Sequence, residues 1–187
     1  MGRWEPNARG RLEQAAMDLY GERGFEQTTV AEIADRAGLT ERTFFRHFAD
    51  KREVLFAGSA ELRDVLVNAV AGAPGSATPI EAVAAGLDAV AARLRVRRHL
   101  ARQRQSIIAA NAELRERELT KLASYSAAVA AALRGRGVDE PAASLTAEIA
   151  IAVLRVAHER WTGETTTQDL PELIRESLDG LRALTAG

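Results

Sequence analysis

The chain has 187 residues, nearly half of them apolar, with few aromatics and a formal net charge of −1. The absence of cysteine excludes disulfides, thiolate metal sites and cysteine nucleophiles. No uncharged apolar run reaches about 18 residues, so no membrane span is expected. Alanine and leucine dominate the apolar residues, which favours helix throughout, and the length suffices for one large or two small cores. No apolar core follows Trp4-Glu5-Pro6, so a secretory signal is not read there and a cytoplasmic protein is the expectation.

In chain order, the first strong local signal is Thr29 followed by Glu32, the spacing of a capping box, which predicts a helix from Val30. Val30, Ile33, Ala34 and Ala37 fall on one face of it. Gly38 suits the position just past a helix end, Leu39 plugs the core beneath the turn, and Thr40 caps the next helix. Phe44 and Phe48 share that helix's inward side. Glu41, Arg42, Thr43, Phe45, Arg46 and His47 are left to its other faces. Two short helices joined by a tight turn, the second opening with polar and cationic residues, are the layout of a helix-turn-helix whose second helix enters the DNA major groove. Asp50 with Glu53 starts a further helix and puts Lys51 at its first turn, a natural phosphate contact.

The helix from Lys51 is expected to run on through Leu55, Leu62, Val65, Leu66 and Val70 as one long connector, broken by the turn-rich stretch 72–79. Thr78, Pro79 and Glu81 give another helix start, continued through Val83, Leu87, Val90 and Leu94. Further helices are expected from about Leu100 to Asn111, Ala112 to Leu133, Ala142 to Trp161 and Pro171 to Leu184. The whole is an all-α protein of about nine helices, with no strand signal.

The last two helices carry apolar stripes suited to packing with a second copy. In the helix ending at Trp161, Leu145, Ile149, Val153 and Val156 form one stripe, and Ala147, Ile151, Leu154, His158 and Trp161 another. With Leu173, Ile174, Leu178 and Leu181 of the terminal helix, Ile151, Leu154, His158 and Trp161 are the expected dimer interface. The same stripes also fit packing inside one monomer. A homodimer would hold two recognition helices about 34–36 Å apart and read an inverted repeat.

Residues 9–56 closely resemble the DNA-binding domain of tetracycline-repressor-type (TetR family) transcriptional regulators. The resemblance rests on Arg11-Leu12, Ala15-Ala16, Leu19-Tyr20, Gly24-Phe25, Thr28-Thr29-Val30, Ile33-Ala34, Ala37-Gly38 and the run Thr43 to Phe48, closed by Lys51 and Leu55. It implies a DNA-binding domain at 1–56, a C-terminal dimerisation and effector domain at 57–187, a homodimeric repressor and a small-molecule effector. Phe45 stands where the family usually has a tyrosine, whose hydroxyl bonds a phosphate; the phenyl ring keeps only an apolar contact with sugar or a thymine methyl.

Arg42 is the expected reader of a guanine edge, Thr43 and Phe45 contact bases or sugar, and Thr29, Thr40, Arg46, His47 and Lys51 hold the phosphate backbone. Arg3, Arg9 and Arg11 add a basic arm ahead of the first helix. Gln103 and Tyr125, polar groups on otherwise apolar faces, are the effector-pocket candidates, although satisfied core polar residues are the commoner explanation of such groups. His47, His99 and His158 are scattered, no metal-ligand spacing or nucleophile motif occurs, and neither catalysis nor a cofactor is expected. Two other readings remain open: a ligand-independent regulator or activator, and a helical interaction module that does not bind DNA.

Overall fold

The computed structural model describes residues 7–163 and 166–185. Ten α-helices and one 3-10 turn occupy them, and no strand occurs among the described residues. The chain forms two compact units: residues 1–57 with 103–118, and residues 58–102 with 119–187. A single division after residue 56 would put 103–118 with the second unit; here that hairpin belongs to the first.

The first unit opens with α1 (Ala8–Arg23), α2 (Val30–Arg36), α3 (Glu41–His47) and α4 (Lys51–Leu55). Each of α2 to α4 begins on a side-chain cap. Thr29, Thr40 and Asp50 accept from the amides of Glu32, Thr43 and Glu53. Such caps contribute about 1 kcal/mol each and fix where helices this short begin. Gly38 closes the α2–α3 turn at φ +64°, a conformation open to glycine, and a β-carbon there would also strike the Arg11 guanidinium. Leu12, Ala16, Leu19, Ile33 and Phe44 are buried at the centre of the unit.

The 103–118 segment holds the end of α7 (Arg98–Ala109) and the start of α8 (Ala112–Gly135), and buries Ile108 and Leu114 in the same core. Polar ties fix it. Gln103 Nε2 donates to the Met17 carbonyl at 2.9 Å and Arg104 Nε to the Leu55 carbonyl at 2.6 Å. Arg117 pairs with Glu53, and Arg52 with Glu113. The Glu113–Glu118 stretch thus bonds across to α4 and α7.

The expected continuous connector is two helices. After Leu55 the chain turns through Phe56 and Gly58, and α5 (Ser59–Ala71) starts afresh. Gly58 sits at φ +81°, and this left-handed residue ends the helical path. Apolar periodicity alone runs straight through it.

The second unit contains α5, α6 (Pro79–Leu94), the 3-10 turn Arg95–Arg97, the rest of α7 and α8, α9 (Ala142–Thr162) and α10 (Leu170–Thr185). Gly86 lets α5 and α6 approach closely, since a β-carbon there would lie 2.8 Å from Leu66 and Val70 side-chain atoms. Trp161, Leu170, Leu173 and Leu87 are fully buried among these helices. Arg98 and Arg102 of α7 close the end of α9. They donate to the carbonyls of Trp161 and Thr166, and of Thr162 and Gly163, at 2.6–2.9 Å. Guanidinium groups at a helix C-terminus satisfy its unpaired carbonyls and favour the dipole. No helix among the described residues is long and apolar enough to cross a membrane.

Candidate nucleic-acid interface

Helix α3 stands on its aromatic side. Phe44 is fully buried and Phe48 nearly so, with ring centroids 5.5 Å apart. This anchoring turns Glu41, Arg42, Phe45 and Arg46 to solvent as two pairs at i, i+4. Phe45 is 55% exposed, its ring edge-on to Phe44 at 5.5 Å and 84°. An exposed phenyl of this size must be held by its neighbours or wasted on water, and the contact with Phe44 holds it.

Cations near α3 divide into engaged and unengaged groups. Arg36 grips Glu22 through two bonds of 2.9 and 3.0 Å, and Arg23 pairs with Glu32. Arg52 chelates Asp50, Arg9 pairs with Glu13 beside the Phe48 ring, and Arg11 bonds the Ala37 carbonyl. Arg42 and Arg46, by contrast, are exposed and make no ion pair or hydrogen bond among the described residues. Among these cations, two unengaged guanidinium groups thus remain, one turn apart on α3. Arg3 of the expected basic arm lies outside the described residues.

Two of the expected phosphate contacts do not fit their geometry. Lys51 directs its ammonium inward, donating to the carbonyls of Phe25 (2.9 Å), Glu26 (3.3 Å) and Thr28 (2.9 Å). All three ammonium donors have acceptors, so the side chain braces the α1–α2 turn. His47 buries its Nε2 with no hydrogen-bond partner among the described residues, so that nitrogen does not face a phosphate. Thr29 and Thr40 are exposed, but their hydroxyls serve as helix caps, and the half-buried Thr43 hydroxyl lies 3.1 Å from that of Thr40.

The effector candidates are also engaged. Gln103 binds the Met17 carbonyl within the first unit, and Tyr125, buried in the second, donates its hydroxyl to the Ser59 carbonyl. Each is a satisfied structural polar group in its own unit. Neither is left as an open ligand donor.

Six of the eight expected dimer residues are inside the monomer. Ile151, Leu154, Trp161, Leu173, Ile174 and Leu178 are all buried in the second unit's core, where α9 packs against α6 and α10. His158 lies beside the Trp161 ring at 5.8 Å, and Leu181 is half-buried. The side of α9 left to solvent carries three residues of the first stripe, Leu145 (61% exposed), Val156 (41%) and the half-buried Ile149, together with Ala152, whereas Val153 of that stripe is buried in the core. Of two apolar stripes on one helix, periodicity cannot say which faces the monomer core.

A capped three-helix unit that offers an aromatic-braced, cationic helix to solvent defines a helix-turn-helix protein of the transcription-regulator class. The model for bacterial regulatory proteins of the tetR family matches residues 13–57, and the MftR C-terminal domain model matches residues 77–186. The chain belongs to the TetR family of bacterial regulatory proteins.

Among curated relatives, the transcriptional regulator TcmR of Streptomyces glaucescens is 34% identical over 87 residues, 46% of this chain and 38% of that one. The repressor KstR2 of Mycobacterium tuberculosis is 43% identical over 47 residues, 25% of this chain and 24% of that one. The matches therefore span well under half the length of these relatives. FadR of Thermus thermophilus, a TetR-family repressor solved with lauroyl-CoA, superposes with a TM-score of 0.58 at 25% identity, covering 93% of both chains.

Proposed function

We propose that the protein is a homodimeric, cytoplasmic repressor that binds an inverted-repeat operator through α3 and leaves it when a small molecule binds the second unit. The observation that carries this reading is the pair of unengaged guanidinium groups, Arg42 and Arg46, on the exposed side of a helix anchored by Phe44 and Phe48. Arg42, nearer the start of α3, is assigned to a guanine edge and Arg46 to the phosphate backbone. Phe45 and Thr43 supply apolar and short polar contacts beside them. Thr29 and Thr40 meet the backbone at the helix starts they cap.

The dimer forms through the solvent side of α9, Leu145, Ile149, Ala152 and Val156, at spacing i, i+4, i+7, i+11. Unpaired apolar stripes of this period suit antiparallel or crossed pairing with a copy of the same helix. We assign the effector to the acyl-thioester or fatty-acyl class, a reading supported by the lauroyl-CoA complex of the Thermus relative.

Selection from random double-stranded DNA at near-physiological salt tests the reading: an enriched inverted repeat is expected. With that operator in hand, lauroyl-CoA should weaken binding by its differential affinity for the two states. Equal operator affinity with and without it would remove this ligand class and leave the ligand-independent regulator. No enrichment by folded dimer would favour the interaction module.

A further inference from the structure

Glu41 is an exposed carboxylate with no hydrogen bond or ion pair among the described residues, and it shares the solvent side of α3 with Arg42, Phe45 and Arg46. A carboxylate on a helix that enters the major groove meets phosphates and a majority of acceptor atoms: guanine N7 and O6, adenine N7, thymine O4. Only the exocyclic amines of cytosine and adenine can donate to it. The adenine amine is flanked by N7, which repels the second carboxylate oxygen, whereas the cytosine amine is flanked by an apolar C5–H edge. Phe45, one turn further along the same side, presents the apolar ring suited to that edge.

We propose that Glu41 is a specificity-determining residue: it requires a cytosine in each half-site by accepting from its N4 amine, with Phe45 packed on the neighbouring C5 edge. This rests on α3 being the recognition helix. An acidic residue in a first helical turn also favours its helix dipole, but that role carries no preference among bases, and base preference is what separates the two.

The experiment is the same random-DNA selection run side by side on the wild type, Glu41→Gln and Glu41→Ala, with thermal melts to show all three folded. The wild type should return one cytosine position at which any other base weakens binding roughly ten- to a hundredfold. Glu41→Gln should move that position toward adenine, whose N6 and N7 suit an amide. Glu41→Ala should level it while the rest of the motif stands. If both variants return the wild-type motif at every position, Glu41 does not read a base and the proposal is wrong, with α3 still the reading helix. If the wild type itself enriches no repeat, the proposal falls together with the reading of α3.

Discussion

The Lys51 ammonium lies 4.5 Å above the Phe25 ring and donates to the Phe25 carbonyl, tying the start of α4 to the turn between α1 and α2. Tyr20 completes the tie by donating to the Lys51 carbonyl at 2.6 Å. A lysine at this point looks like a phosphate contact, but its donors are already taken by Phe25, Glu26 and Thr28. Lys51→Met should therefore cost stability, about 1–3 kcal/mol for three carbonyls losing a charged donor. The salt dependence of binding to random DNA should hardly change. Denaturant melts and a salt titration check this; a slope reduced by about one with unchanged stability would restore the phosphate role.

Arg42 and Arg46 should fail differently. Arg42→Ala is expected to cost about 1–3 kcal/mol at one base position and relax preference there. Arg46→Ala should weaken all sequences alike and lower the salt slope by about one. Binding to a panel of single-base operator variants at two salt concentrations separates the two. If the alanine variants exchange these behaviours, the assignment of base and backbone roles along α3 is reversed.

Much of the first unit was legible because its signals are local. The Thr29–Glu32 capping box places the start of α2 to the residue, and Phe44 and Phe48 declare the buried side of α3. Misreadings came where a distant partner decides. Lys51 could be read as free only without knowing that three carbonyls converge on it. Gln103 and Tyr125 looked like pocket groups because the Met17 and Ser59 carbonyls that satisfy them lie 86 and 66 residues away in the chain. No local pattern foretells that the end of α9 comes to meet Arg98 and Arg102.

The two stripes of α9 make opposite predictions. A charge on the solvent stripe, Val156→Glu or Leu145→Glu, should leave the monomer folded and raise the dimer dissociation constant roughly a hundredfold, since each buries an unpaired carboxylate at the interface. Trp161→Ala should instead destabilise the fold by about 3–5 kcal/mol through the cavity it leaves. Sedimentation velocity beside thermal melts reads both. A Val156→Glu protein that stays dimeric would move the interface elsewhere.

Acid should unfold the protein through its capping and ion-paired carboxylates. The Glu32 carboxyl is held below its ordinary value of 4.5, chiefly by the Thr29 amide and then by the Thr29 hydroxyl, with Arg23 adding to both. Burial pushes Asp50 upward, but bonds from Arg52 and the Glu53 amide, with the charges of Arg52 and Arg117, outweigh it and leave the group below 3.8. In each case the folded value lies under the unfolded one, so between the two the unfolded chain binds more protons. Stability from these groups is complete above the ordinary values and is lost as pH falls through the folded ones. Tyr20 acts at the other extreme. Burial, and secondarily the nearby Asp50, raise its phenol above the ordinary 10.0, so its contribution is complete below that value and disappears in strong alkali. Urea melts from pH 7 down to 3 should show a plateau above about pH 5, then a fall that steepens below 4. Glu32→Gln with Asp50→Asn should lower the plateau and flatten the fall. If the double variant keeps the full acid slope, other carboxylates are responsible and the caps of α2 and α4 do not govern acid stability.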